Sequence, residues 1–556
     1  MLAGLYMRSK LIYPLLILIW LFIGPLNIAV FKPLMGILRI DLNTIANFLN
    51  LGQTDPNSPY DPVYGLPLEI HRWLQKGLWL INVIVLFLIS VLKKSTLKSP
   101  KVIVIVSTIL LTLNLPLLNS FIKEEQVITT RYEENAVRNY DKKYYAISTH
   151  PVFQDEGSFI IESYEININS FRNLKAKVIM KIKTLRETEK IVFTLYHDLR
   201  VKSITDEFKT ELSYKQNGDQ VLVSFPKALD KDVQRELVFI YEGTSSPYFY
   251  ANEQAVMLPA YFPWIPIAGS YQAMKAENSY LIRNPLNPQI STKYTLRYSG
   301  PQPLFTNLPK KDENLWSGEM PCGITIAAGM LTETMIRSMK VYYPVSLNKM
   351  IGTVPTFLEN IKAIAGNIKD DLELQKSYGP SKVFFLSIPP DSSLIHLNLW
   401  NLGDHLIVGI DQMYNEGDFL NDKTALVPAV LSSLTMSNNM AKQSEKIKAF
   451  FMASYAYWYE MNHDSAYNEK SKSILLLIID IYNNLHYELD NYEELGLKNE
   501  ENVIKQIKVF IDENKSKQKL LQSFFCDWLS NLSANRLMNL EDVTRIIKIK
   551  EINRDA

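Results

Sequence analysis

The sequence predicts a multidomain chain. An α-helical transmembrane region of three spans precedes an extracellular α+β region, itself made of an antiparallel β domain, an α/β domain and C-terminal helices. Three observations carry this reading. Uncharged apolar runs crowd the chain up to Ile122, alternating strand-like segments dominate from about Phe159 to Tyr343, and helical periodicity takes over beyond Asn348. A strand-rich block, a mixed block and a helical block in series read as separate domains.

The membrane region comes first. Leu11 to Phe31 carries no charge, and about 20 such residues cross a hydrocarbon core. Pro14 and Pro25 lie near the ends of this run, and no small-residue cleavage site follows it, so it is expected to stay in the chain. Gly77 to Leu92 is shorter, but Trp73, Leu74 and a snorkelling Lys76 extend it. Val102 to Ile122 is the third run, and Asn114, Pro116 and Asn119 make it polar enough to favour packing against other helices. The spans are therefore placed at about 11–31, 73–92 and 102–122. Arg8 and Lys10 precede the first, and Lys93, Lys94, Lys98 and Lys101 fill the loop between the second and third. By the positive-inside rule these segments are cytoplasmic. The loop from Lys32 to Arg72 and everything after Ile122 are then extracellular, in a multi-pass cell-membrane protein. Within that loop Leu34, Ile37, Leu38, Ile40, Ile45, Phe48 and Leu49 form a helical stripe suited to the membrane surface.

Residues 123–155 are charged and weakly periodic and read as a stalk. In the β-rich block, 156–345, the segments Lys177–Lys183, Gln220–Phe225 and Arg235–Glu242 alternate polar and apolar residues, the mark of half-buried antiparallel strands. In the mixed block, 346–480, Val354–Ile368 and Phe450–Met461 read as helices and Lys382–Ile388 as a buried strand. In the helical block, 481–556, a helix is expected over Val503–Leu529, and another over Ser473–Leu485 across the boundary.

Composition narrows the function. The formal net charge is +1, from 59 basic and 58 acidic residues. No basic run tracks phosphates, so nucleic acid is not an expected partner. The only cysteines, Cys322 and Cys526, are too few for a disulfide scaffold; two buried free thiols are expected, with pairing left open. No Gly-rich loop ending in Lys-Ser/Thr exists, so the chain should not hold ATP itself, and no Gly-x-Ser-x-Gly elbow is present. The histidines are His71, His150, His197, His396, His405, His463 and His486; no two are four apart, the spacing that puts two zinc ligands on one helix face.

Several segments, taken in order over roughly 155–490, resemble the aminopeptidase N-like zinc metallopeptidase family. Tyr261–Pro266 is similar to a Trp-Tyr-Pro turn in that family's amino-terminal β domain. Ser317–Gly329 and Met339–Pro344 look like its last strands, and Lys376–Pro389 like the entry to its catalytic domain. Gly409-Ile-Asp-Gln-Met413 stands where the family has Gly-x-Met-Glu-Asn, and Phe450–Trp458 where it has Trp-Leu-x-Glu-Gly-x-Ala-x-Tyr. The resemblance implies a thermolysin-like domain over 346–480, with the His-Glu-x-x-His helix falling on Val430–Leu434. Val430 and Leu434 would occupy the histidine positions and Leu431 that of the general base. The family's fixed spacing to its third ligand lands on Ala453, and its catalytic Tyr falls near Asn468. All five positions are degenerate, so neither a metal nor another cofactor is expected, and the chain reads as a pseudoenzyme. Asp411 and Gln412 stand in the strand that receives a peptide amino terminus in the family. Tyr455 and Tyr457 belong to an aromatic group that either lines a peptide groove or packs as core.

The three spans are similar to permease segments of ABC transporters that carry outer domains of this peptidase type. The expected function is a non-catalytic membrane subunit of such a transporter, handling a peptide or peptide-like compound. Its expected partners are a separate ATPase subunit, other membrane subunits and the lipid bilayer. The alternatives are an active membrane-anchored aminopeptidase with an atypical metal site, and a stand-alone peptide-binding receptor or immunity protein.

Overall fold

The structure, a computed structural model, describes residues 12–24, 27–38, 40, 42–51, 62–65, 70–94, 100–127, 144–145, 157–243, 249–277, 280–283, 291–375, 379–388, 399–410, 423–435, 439–440, 443–463, 498–534 and 536–555. Asp411, Gln412, Asn468 and the helix expected over Ser473–Leu485 lie outside these residues.

The first apolar run is not one continuous helix. It forms α1 (Ile12–Ile23) and α2 (Asn27–Leu38). The chain bends at Gly24, just before Pro25, which has no N–H to continue the ladder. The 12 residues of α1 rise about 18 Å, well short of a hydrocarbon core of about 30 Å. Phe22 meets Phe31 edge to face across the break, and Leu51 N donates to Ile23 O at 2.9 Å. The short helix α3 (Asn43–Leu49) closes this cluster, with Asn27 Nδ2 donating to Ala46 O at 2.6 Å. The span expected at 11–31 is thereby replaced by a broken helical unit.

The second and third runs form α4 (Ile70–Lys94) and α5 (Pro100–Val127), which pack against one another. Arg72–Leu92 and Pro100–Lys123 are long and apolar enough to cross a membrane. Leu80, Leu86, Phe87, Val104, Ile105, Leu111 and Leu115 face outwards along them. Several polar residues are used within the pair or within their own helix. Asn82 Nδ2 donates to Asn114 Oδ1 at 3.1 Å, and the Ser90, Thr108 and Thr112 hydroxyls bond carbonyls one turn back.

The β-rich body is built on a seven-stranded sheet. Its order is Lys310–Asp312, Leu315–Met320, Thr292–Ser299, Phe159–Asn169, Leu174–Thr184, Gln234–Gly243 and Leu199–Asp206. All neighbours are antiparallel except Thr292–Ser299 beside Phe159–Asn169. Strict alternation of buried and non-buried residues along Leu174–Thr184 puts Val178, Met180 and Ile182 inside and the lysines outside. A four-stranded sheet containing Thr188–Thr194 and Gln220–Leu229 supplies Ile191, Phe193, Val221 and Val223 to the same core. The turn Tyr261–Pro266 is pinned from below by two buried phenols, Tyr164 OH donating to Pro266 O at 2.9 Å and Tyr241 OH to Trp264 O at 2.8 Å. Burial holds both well above the ordinary tyrosine range.

A five-stranded mixed sheet follows, in the order Leu331–Ile336, Met339–Pro344, Lys382–Leu386, His405–Gly409, Leu399–Asn401. Its first two strands precede the boundary drawn at 345, so that boundary cuts through one sheet. Helix α6 (Val354–Asp371) lays Phe357, Ile361, Ile364 and Ile368 into the second core. The helices α7 (Lys423–Thr435), α8 (Glu445–His463), α9 (Lys498–Glu513), α10 (Gln518–Leu532) and α11 (Leu540–Asp555) complete it. The single helix expected over Val503–Leu529 is two. Lys517 N bonds back to Asn514 O at 2.7 Å in a turn between α9 and α10, and Asn514 Nδ2 caps Phe510 O at 2.9 Å.

One contact joins the segment before α4 to the β-rich body. Val63 and Tyr64 are buried in its core. Met330 N donates to Val63 O at 2.9 Å, Gln254 Nε2 to Tyr64 O at 2.7 Å and Asn252 Nδ2 to Tyr64 OH at 2.8 Å. Tyr64 also meets Tyr250 edge to face at 5.2 Å. Gly329, at φ 133°, allows this approach, because a Cβ there would sit 2.7 Å from Val63 O. At the other end of the pair, Tyr145 of the expected stalk enters the same core and donates to the Asp219 carboxylate at 3.0 Å. Replacing Tyr64 by Ala is expected to destabilise the outer region by about 3–5 kcal/mol, the usual loss for a buried aromatic. Thermal unfolding of the detergent-solubilised full chain checks this; an unchanged transition would mean that the segment does not anchor the body.

Candidate functional site

Four of the five positions that the resemblance marks lie on helices α7 and α8. Val430, Leu431 and Leu434 of α7 and Ala453 of α8 are all buried in one apolar cluster, and the two helices pack directly. α7 contains Pro428 and is apolar on every side over Leu426–Leu431. Its hydroxyls turn inward onto the helix, Ser433 Oγ donating to Val430 O at 2.7 Å and Thr435 Oγ1 to Leu431 O at 2.8 Å.

α8 is buried on all faces from Phe450 to Tyr459. Trp458 stacks on Phe525 at 5.0 Å, and Phe451 meets Trp528 edge to face at 5.4 Å, both partners coming from α10. Tyr455 and Tyr457 sit in this core, not on an open groove. Their hydroxyls are committed to carboxylates of neighbouring helices. Tyr455 OH donates to Asp371 Oδ2 at 2.7 Å, and Tyr457 OH to Asp512 Oδ1 at 2.7 Å. Burial first, and then the Asp371 carboxylate, holds the Tyr455 phenol well above its ordinary range. His463 Nε2 shares Asp371 at 2.9 Å, and Lys508 Nζ donates to Asp512 Oδ2 at 2.6 Å.

The residues at the degenerate positions do not fit a zinc ion. Valine, leucine and alanine side chains carry no nitrogen, oxygen or sulfur to coordinate it. Among the described residues no three His, Cys, Asp or Glu side chains gather into an alternative ligand set. Cys322 and Cys526 are not joined in a disulfide and are half-buried rather than fully buried.

A polar cluster that the sequence reading did not single out lies between the β-rich body and the five-stranded sheet. His405 is fully buried, with Nδ1 3.0 Å from Asp404 Oδ1 and Nε2 2.8 Å from Thr325 Oγ1. The carboxylate makes Nδ1 the protonated nitrogen, so the Thr325 hydroxyl donates to Nε2. Ala260 N donates to Thr325 Oγ1 at 3.0 Å, and Asn307 Nδ2 donates to Asp404 Oδ2 at 3.0 Å. Lys382 Nζ adds bonds to the carbonyls of Asn307, Thr306 and Leu308; burial, opposed by Asp404, pulls its pKa below the ordinary lysine range. The order Thr–His–Asp is that of a nucleophile, a base and its orienting acid. Yet Thr325 and His405 are both fully buried. No substrate carbonyl reaches the hydroxyl, so the cluster clamps two sheets together.

No family model matches the chain, and no curated protein matches it. Among solved structures, it is similar to a variant of a two-domain M1 zinc metallopeptidase bound to L-arginine, with a TM-score of 0.43 and 11% identity over 72% of this chain and 93% of that one. The M1 zinc metallopeptidase from Deinococcus radiodurans gives a TM-score of 0.41 and 10% identity, over 72% and 92%. Likeness of this degree does not define the chemistry of this chain.

Introducing polar side chains at the positions that the resemblance marks, by Val430→His, Leu431→Glu, Leu434→His and Ala453→Glu, is expected to lower stability by roughly 1–3 kcal/mol per position, since each polar group enters an apolar core. Differential scanning fluorimetry with and without zinc reads the outcome; a zinc-dependent gain in Tm would show that the backbone still presents a ligand cage. For the clamp, His405→Ala should cost about 1–3 kcal/mol by orphaning Thr325 and Asp404. Equilibrium unfolding at the wild-type midpoint would refute the clamp.

Proposed function

We propose that the chain is a membrane-anchored, non-catalytic subunit whose outer region is a pseudo-aminopeptidase. One observation carries the reading: where the resembling family would hold its metal, Val430, Leu431, Leu434 and Ala453 pack as hydrocarbon core between α7 and α8. Without a Lewis acid or an activated water, that position has no means of attacking a peptide bond. Retention of two helices at the family's spacing, with apolar contacts in place of ligands, fits a scaffold kept for binding or assembly.

The α4–α5 pair anchors this body to the bilayer. Burial of Val63 and Tyr64 in the core of the β-rich body supports a topology with both flanks of the pair on one side of the membrane, and the lysines at 93, 94, 98 and 101 support the cell exterior as that side. Two apolar helices cannot enclose a transport pathway, and their outward faces are apolar along their length. The chain therefore works with other membrane subunits and a separate ATPase, as part of an ABC transporter that handles a peptide or peptide-like compound, the outer body binding the compound or gating its passage.

Purification in a mild detergent followed by mass spectrometry is expected to recover an ATPase and further membrane subunits, and metal analysis to find zinc far below stoichiometric. Stoichiometric zinc with cleavage of aminoacyl reporter substrates would overturn the pseudoenzyme reading. A clean monomer, with peptide sensitivity on deletion that does not depend on any ATPase, would replace the transporter by a stand-alone receptor.

A further inference from the structure

On α4, Gln75, Lys76 and Trp79 stand three, four and seven residues along from Arg72, and so the four share one face. Three of them find acceptors in the same place, the C-terminal end of α3. Gln75 Nε2 donates to Phe48 O at 2.8 Å and Asn50 O at 2.7 Å, Lys76 Nζ to Leu51 O, and Trp79 Nε1 to Phe48 O at 3.0 Å. These carbonyls belong to the set that a helix end and the turn after it leave unpaired.

Arg72 lies one turn further toward the start of α4 and bonds none of those three carbonyls. It is only 9% exposed, and its Nε and Nη2 are buried without any hydrogen-bond partner. A guanidinium stays charged, so it does not escape desolvation by losing a proton. Lys76 adds a second cation on the same face, and among the described residues neither is paired with a carboxylate. Arg72 opens the apolar stretch Arg72–Leu92, and its neighbour Trp73 is 64% exposed. Tryptophan at the edge of an apolar run marks the headgroup level of a bilayer.

We propose that Arg72, backed by Lys76, binds the phosphate of a phospholipid headgroup in the leaflet facing the β-rich body. The planar guanidinium fork presents paired N–H groups that match two phosphate oxygens, and Nε and Nη2 are the pair left open here. The depth of the residue selects a lipid phosphate over a free one, although the recognising chemistry is the same. The site rests on the reading of α4 as a span.

Native mass spectrometry of the full-length protein, taken through a detergent that strips bulk lipid, tests this. The wild type is expected to retain a phospholipid. Arg72→Gln should reduce its occupancy about tenfold or more, whereas Arg72→Lys should keep an intermediate level. Lys101→Gln, at the opposite membrane face, should match the wild type. Size-exclusion profiles and thermal melts of the variants separate loss of the lipid from loss of the fold; should Arg72→Gln not fold, the ranking of Arg72→Lys below the wild type carries the test. Inorganic phosphate, added to delipidated protein, distinguishes the sources: Arg72-dependent binding of phosphate with no lipid retained would move the ligand from the headgroup to a free anion and overturn the lipid assignment. Equal lipid occupancy in wild type and both variants would overturn the site. Carbonate extraction of the same membranes tests the span separately; release of the chain into the wash would remove both the span and the site.

Discussion

Helix α8 has no solvent-facing side across its central turns, and the second half of the molecule is organised by that enclosure. A helix buried all round needs partners all round. α7, α9 and α10 pack against it, with Phe525 stacked on Trp458, and α6 reaches it through Asn367 and Asp371. The hydroxyls of Tyr455 and Tyr457 are met at its margins by Asp371 and Asp512. A helix in this position can carry a metal ligand only if the core opens into a cleft beside it. Here the neighbouring side chains close that space.

The clamp around His405 plays the complementary part at the other end of the five-stranded sheet. Its members come from loops and strand ends of both bodies, and each bond crosses between them or fixes a residue that does. A buried network of this kind is worth having only when nearly every donor is used. Thr325, Asn307, Asp404 and Lys382 meet that condition through Ala260, Gly323 and the Asn307 carbonyl.

Much of this was legible from residue order. Alternation along Lys177–Lys183 and Arg235–Glu242 identified strands because one face of that sheet is buried and the other is wet. The apolar spacing in Val354–Ile368 identified α6 for the equivalent helical reason. The break in the first apolar run was harder to see, since hydropathy does not register a missing N–H at Pro25 or the fold-back that brings Leu51 to Ile23. The division of α9 from α10 was hidden for a related cause: Asn514 is an ordinary polar residue until it turns onto Phe510. Substitution at Val430, Leu431, Leu434 and Ala453 was visible as chemistry, but their mutual packing was not, because α7 and α8 are brought together by contacts that no local pattern records. His405 stood in the sequence as one histidine among seven, and only its neighbours distinguish it.

The burial of Tyr64 makes the order of the chain unusual. The polypeptide contributes to the outer body first, passes through α4 and α5, and only then supplies the strands that enclose what it left behind. Val63 and Tyr64, before the pair, are held by Asn252, Gln254 and Met330, and Tyr145, after it, by Asp219. Residues from both flanks thus close one core, which is complete only once the chain beyond α5 has been made.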